Sequence, residues 1–185
     1  MDKLKYLPNV ITSLRIVGTA GMLFTISFSK GFYILYTFSG LTDVLDGAVA
    51  RATKSSSLLG AKLDSIADLI FYTVMMVKIM PYLWVTLPVR IWYAVVAILI
   101  IRSMAYAIAA VKYKCFASVH TYGNKATGLA VFALPYFIMI EPVAVGYSIG
   151  VCIIAALASL EELFMHIKAK EYDSRRKSIF IRQSE

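Results

Sequence analysis

Four aspartates, Asp43, Asp46, Asp64 and Asp68, fall within the 26-residue stretch DVLDGAVARATKSSSLLGAKLDSIAD, in a chain of 185 residues that is 59% hydrophobic. The first pair is spaced i, i+3 and the second i, i+4, so on two helices each pair projects from one face. The intervening TKSSSLL stretch lets those helices run side by side. Carboxylates gathered in an apolar setting lose hydration and repel one another, so they must take up protons or find cations. Oxygen-only ligands suit hard divalent ions such as Mg²⁺ or Mn²⁺. Gly47 and Gly60 permit close approach of a second helix or a phosphate, and Arg51 offers a bidentate anion ligand beside the acids. An isolated Asp-x-x-Asp pair is commonly a helix cap or a solvated face. Acids, arginine and small residues together describe a site for metal ions and a phosphorylated ligand.

The elements that must position these residues are membrane helices. A mean hydropathy of +0.72 belongs to a polytopic membrane protein rather than a soluble domain. The expected fold is an all-α integral membrane protein, a single domain over residues 1–185 with about six transmembrane helices. A bilayer core requires roughly 20 residues per span, and apolar stretches fall at about 7–29, 32–51, 62–82, 89–111, 127–141 and 143–165. Arg15 interrupts the first, the aspartates interrupt the second and third, and the fifth is short unless it begins near His120. Met1 to Pro8 has no cleavage-site pattern, so the first span is expected to stay.

Charge sets the orientation. With the N-terminus inside, Lys3, Lys5, Arg15, Arg51, Lys54, Lys62, Lys112, Lys114, Lys125, Lys168, Lys170, Arg175, Arg176, Lys177 and Arg182 all fall on the cytoplasmic side, fifteen of the nineteen basic residues. Lys30, Lys78 and Arg90 lie outside, and Arg102 within the fourth span. Both termini are then cytoplasmic and the aspartates lie near the cytoplasmic face. Tyr82, Trp84, Trp92 and Tyr93 flank Pro88 as an interfacial belt would. The net charge of +8 is distributed by membrane side, which argues for anionic lipid rather than nucleic acid as its partner. The basic tail, about 168–185, fits against lipid head groups. Cys115 and Cys152 are far apart and suggest no disulfide.

Written out, the acidic stretch is Asp43-x-x-Asp46-Gly47-x-x-Ala50-Arg51, eight residues, then Gly60-x-x-x-Asp64-x-x-x-Asp68. At all eight fixed positions it resembles the signature of the CDP-alcohol phosphotransferases, the integral membrane enzymes of phospholipid head-group synthesis. The resemblance implies that a cytidine diphosphate-activated alcohol meets an acceptor alcohol, whose hydroxyl attacks phosphorus and releases cytidine monophosphate. It implies two divalent cations, Mg²⁺ or Mn²⁺, held by Asp43, Asp46, Asp64 and Asp68, with Asp68 also taking the acceptor's proton. Direct displacement needs no nucleophile, so His120 is expected to be a loop or interfacial residue. For the donor the resemblance implies contacts from Gly47, Arg51 and Ser57. Pro8-Asn9-Val10-Ile11-Thr12 is similar to the family's Pro-Asn-x-x-Thr segment, where Asn9 and Thr12 either contact the donor or cap the helix.

The length favours CDP-diacylglycerol as donor and a small polar acceptor, because the members that use CDP-choline or CDP-ethanolamine are generally longer. Arg102, an intramembrane cation, and Lys125, before the fifth span, suggest an acceptor with its own phosphate, such as glycerol 3-phosphate; the alternative is that Arg102 pairs with a helix-terminal carbonyl or a glutamate and Lys125 only follows the positive-inside rule. The chain lacks the Gly-Lys-x-Lys-Thr spacing of phosphatidylglycerophosphate synthases, and its Asp64-Ser65 pair looks more like phosphatidylserine synthases. A phosphatidylinositol or phosphatidylinositol-phosphate synthase stays open as well. The competing class is a cation transporter using the aspartates as ion ligands, though a transport path should place polar groups through both leaflets. The resemblance further implies a homodimer in the cell membrane with its active site facing the cytoplasm.

Overall fold

The structure, a computed structural model, describes residues 7–53, 58–114 and 121–169. Among these residues all regular structure is helical: α1 Leu7–Leu23, α2 Lys30–Thr53, α3 Leu58–Thr86, α4 Val89–Tyr113, α5 Tyr122–Phe137 and α6 Val143–Lys168. Three helical segments, Lys62–Thr86, Val89–Tyr113 and Val143–Lys168, are long and apolar enough to cross a membrane. The chain forms two units, Met1–Leu83 and Trp84–Glu185.

In the first unit α1 packs along α2. Gly18 makes that approach possible, since a Cβ there would stand 3.0 Å from Ser39 Oγ and 3.2 Å from the Phe38 ring. Small residues let membrane helices approach closely where the hydrophobic effect contributes little between them. Tyr36 of α2 stacks on Phe71 of α3 with ring centroids 5.3 Å apart, and its hydroxyl lies 3.4 Å from Met75 Sδ. Lys78 of α3 donates to the carbonyls of Leu23 (3.0 Å) and Thr25 (2.6 Å), placing a cation on the C-terminal end of α1. Leu23 is the last residue of α1, so its carbonyl has no partner within the helix, and the negative end of the helix dipole attracts the ammonium.

In the second unit α6 packs against both α4 and α5. Gly123 brings α5 onto α6, where a Cβ would meet Ala158 Cβ at 3.0 Å. Lys112 of α4 repeats the device of Lys78, donating to the carbonyls of His166 (2.9 Å) and Ile167 (3.0 Å) at the end of α6. The rings of Trp84 and Trp92 lie 5.1 Å apart across the turn at Pro88.

The first unit buries polar side chains among its apolar core and exposes large apolar ones. Thr12, Arg15, Thr19, Ser39, Thr42 and Asp46 are buried, whereas Val17, Ile34, Leu41, Val44 and Leu69 are exposed. That arrangement suits a lipid surround, in which apolar side chains face outward and polar ones pair inside.

Helix limits differ from the apolar stretches in ways that local chemistry explains. The first helix stops at Leu23, short of residue 29, and gives way to turns in which Phe28 adopts a positive φ of 61°. The fifth starts at Tyr122, ahead of its apolar stretch, because Thr121 Oγ1 accepts the Asn124 amide at 3.1 Å and caps it. It runs only 16 residues. The third extends through Pro81 to Thr86.

Candidate active site

Asp43 and Asp46 lie on α2 and Asp64 and Asp68 on α3, and all four converge on one side chain of α1, Arg15. Arg15 is 1% exposed. Its Nη1 stands 3.0 Å from Asp43 Oδ1, 3.2 Å from Asp64 Oδ1 and 2.6 Å from Asp68 Oδ1, while Nη2 pairs with Asp46 Oδ2. Thr12, one helical turn before Arg15, donates from Oγ1 to the same Asp46 oxygen at 2.9 Å.

The four acids are not equivalent. Asp46 is buried, held from one side by Thr12 and Arg15. Asp43, Asp64 and Asp68 keep 51%, 46% and 42% of their side-chain surface exposed, so the cluster opens outward on that side. One carboxylate oxygen from each of these three lies within 4.8 Å of the others, a spacing that suits a shared cation. Taken as ionised, four carboxylates and one guanidinium sum formally to −3, which leaves room for one or two divalent ions. The donor set fits Mg²⁺ or Mn²⁺, which prefer carboxylate oxygen.

The expected donor contacts fall unevenly. Gly47 sits on α2 directly after Asp46, half-buried, and Gly60 on α3 one turn before Asp64. Asn9 lies in the first turn of α1, its carbonyl accepting from Ser13 Oγ at 2.8 Å. Thr12 is interior to α1 and aimed at Asp46 rather than at the helix end. The Arg51 side chain, Ser57, Cys115 and His120 lie outside the described residues.

Arg102 belongs to the second unit, in a polar cluster of its own. Its Nε donates to Tyr106 Oη at 3.0 Å and its Nη2 to Asn124 Oδ1 at 3.2 Å, with Glu162 Oε2 3.7 Å away. Asn124 Nδ2 closes the loop by donating to Glu162 Oε2 at 3.0 Å. Glu162 is fully buried, and His166 Nε2 stands 3.9 Å from its other oxygen. The ion pair with Glu162 is thus one role Arg102 has. Lys125, next in sequence to Asn124, is exposed in the first turn of α5.

Sequence reasoning noted Arg15 as an interruption of the first span and as a charge that orients the chain but gave it no place in the site, although an arginine inside an apolar span was a signal. Asn124 was likewise missed, and the glutamate that sequence reasoning offered as an alternative partner for Arg102 proves to be Glu162, whose trace was its i, i+4 pairing with His166 in an apolar segment.

A CDP-alcohol phosphatidyltransferase family model matches residues 5–161. Three bacterial proteins named CDP-diacylglycerol–glycerol-3-phosphate 3-phosphatidyltransferase are similar to the chain. That of Pectobacterium atrosepticum is 28% identical over 76% of this chain and 78% of its own length. Those of Pseudomonas fluorescens and Cereibacter sphaeroides are 32% and 33% identical, each over 46% of this chain and over 48% and 43% of their own lengths. No solved structure matches the chain. With its eight signature positions intact and its four aspartates gathered on α2 and α3, the chain belongs to the CDP-alcohol phosphatidyltransferase family, a family of transferases.

Proposed function

We propose that this protein transfers a phosphatidyl group from CDP-diacylglycerol to glycerol 3-phosphate, releasing cytidine monophosphate, at a site built on Asp43, Asp46, Asp64 and Asp68. The observation that carries the reading is the convergence of the four signature aspartates, three of them open on one side within a shared cation's reach. Divalent ions bound there, two of Mg²⁺ or Mn²⁺, supply polarisation of the phosphoryl oxygens and take up charge on the leaving group. Asp68, half-exposed, receives the proton of the acceptor hydroxyl as that oxygen attacks phosphorus. Gly47, Arg51 and Ser57, with Asn9 in the first turn of α1 and Thr12 one turn further on, bind the donor. The displacement in this reading is direct, the acceptor oxygen forming its bond to phosphorus as cytidine monophosphate leaves.

For the acceptor, the names of the three relatives specify glycerol 3-phosphate, and Arg102 and Lys125 supply cations that suit a phosphate-bearing acceptor. The Asp64-Ser65 pair supports a second reading, serine as acceptor. Six spans in a single membrane domain, both termini cytoplasmic, the site on the cytoplasmic face and a homodimer complete the proposal. The placement of fifteen of nineteen basic residues supports that orientation.

The deciding experiment incubates purified protein with CDP-diacylglycerol, Mg²⁺ or Mn²⁺ and, in turn, glycerol 3-phosphate, serine, inositol or inositol phosphate. Mass spectrometry identifies the lipid. Phosphatidylglycerophosphate is expected, and phosphatidylserine or an inositol lipid as main product replaces the acceptor assignment.

A further inference from the structure

An arginine in the middle of a proposed metal site poses a spatial conflict. A hard divalent ion takes carboxylate oxygens at about 2.0–2.6 Å. To bind one oxygen from each of Asp43, Asp64 and Asp68 it must lie between them, and that is where Arg15 Nη1 stands, 2.6–3.2 Å from the same three side chains. A guanidinium nitrogen and a divalent ion cannot share that volume, and like charges at such a distance repel strongly where bulk water is scarce.

The surroundings of Arg15 define what can move. The backbone of α1 packs closely on α2, with Thr19 Oγ1 3.4 Å from Ser39 Oγ and a Cβ at Gly18 standing only 3.0 Å from the same Ser39 hydroxyl. The arginine side chain is long and rotatable, and its two terminal nitrogens are committed differently. Nη2 is on the buried Asp46, whereas Nη1 is on the three open acids. Nε is buried without a hydrogen-bond partner among the described residues, so nothing observed there pins the inner end of the guanidinium. The division matches a side chain that can swing Nη1 out of the cluster while Asp46 keeps hold of Nη2.

We propose that Arg15 is the built-in counter-ion of the aspartate site, gathering Asp43, Asp64 and Asp68 before metal arrives and withdrawing Nη1 when a divalent ion takes its place. Metal loading is then an exchange of one cation for another. Arg15 touches no substrate in this scheme and is a positioning residue. It keeps four carboxylates from splaying α2 and α3 apart, at the cost of competing with the metal. The inference rests on the metal reading of the site given above.

The test titrates Mn²⁺ into the full chain in detergent, following the electron paramagnetic resonance signal of free Mn²⁺, and records thermal melting in chelator and in saturating Mn²⁺. Arg15→Gln removes the competing charge. It is expected to bind Mn²⁺ at least tenfold more tightly than the wild type, to melt lower in chelator, and to gain more from metal. Arg15→Lys, a single ammonium that cannot fork between Asp46 and the open acids, is expected between the two. Arg15→Gln that folds only with Mn²⁺ present also bears out the exchange, because the ion then does what the arginine did. Should Arg15→Gln fold in neither condition, Arg15→Lys decides by the same criterion. Wild-type Mn²⁺ binding with unchanged or weaker affinity in the folded variant overturns the exchange and leaves the metal reading standing. Absence of Mn²⁺ binding by the wild type overturns both.

Discussion

Thr12 Oγ1 donates to Asp46 Oδ2 at 2.9 Å, so the first helix holds the most buried of the four aspartates through a hydroxyl. A hydrogen bond to a charged acceptor contributes about 1.5–3 kcal/mol, and an acceptor left unsatisfied in a buried place costs a comparable amount. Thr12→Val, nearly the same shape without the donor, should lower stability by roughly 1–3 kcal/mol and reduce kcat/KM. Thr12→Ser should restore most of both. Melting and steady-state kinetics on the two variants check this, and a Thr12→Val protein as stable and active as the wild type would remove the hydroxyl from the site's design.

The open acids should behave differently from the buried one. Asp64→Asn keeps the shape of the side chain but removes a charged ligand, so metal affinity should fall at least as far as the roughly 10–100-fold seen when an outer partner of a ligand is lost. Turnover should drop by at least about 10²-fold. Mn²⁺ titration and activity measured on the same sample test both parts. Full activity in folded Asp64→Asn, or wild-type activity surviving exhaustive chelation, defeats the metal-assisted mechanism.

Asp68→Asn carries a further expectation, because Asp68 is assigned the acceptor's proton as well as a ligand position. Transfer should fall by about 10²–10⁴-fold, the range for loss of a general base, while CDP-diacylglycerol binding measured directly persists. Near-normal transfer at saturating Mg²⁺ moves the proton acceptor elsewhere.

Much of this arrangement was legible in the chain itself. Spacings of three and four residues fix which side chains share a helix face, so the pairs Asp43 with Asp46 and Asp64 with Asp68 could be placed from their numbers alone. What spacing cannot give is the partner on another helix. Arg15 is separated from Asp64 by 49 residues and from Asp68 by 53, and nothing in its own neighbourhood, ITSLRIVG, announces an acid. For Arg102 a glutamate partner could be anticipated from the cost of a buried charge, but not which one: Glu162 lies 60 residues away. Helix limits failed where hydropathy ceases to decide them: a hydroxyl cap starts α5 at Tyr122, and α1 stops at Leu23, whose carbonyl accepts from Lys78 of α3.

Lys78 yields a prediction about stability with no catalytic component. It carries two hydrogen bonds to the end of α1, on the proposed outer side of the membrane and far along α3 from the aspartates. Lys78→Met keeps the aliphatic stem and loses the cap, so stability should fall by about 1–2 kcal/mol. The KM for either substrate should not change. A shift in acceptor or donor KM would mean that the cap also sets the geometry of the site.

The acceptor assignment can be tested through Arg102 and Lys125. Arg102 is half-buried and paired with Glu162, and Lys125 is exposed next to Asn124, which bonds both members of that pair. If both cations meet the phosphate of glycerol 3-phosphate, Arg102→Ala and Lys125→Ala should each raise acceptor KM about tenfold or more, the loss of one charge-assisted contact. The KM for CDP-diacylglycerol should stay put. Arg102→Ala also strips buried Glu162 of its ion pair and should melt lower, so Lys125→Ala, which has no ion pair among the described residues, gives the cleaner measure. Kinetics with both substrates varied separates the cases. An acceptor KM unchanged in both variants leaves Arg102 as a structural partner of Glu162 and Lys125 as a positive charge on the cytoplasmic side, and the phosphate of the acceptor must then be read by other residues.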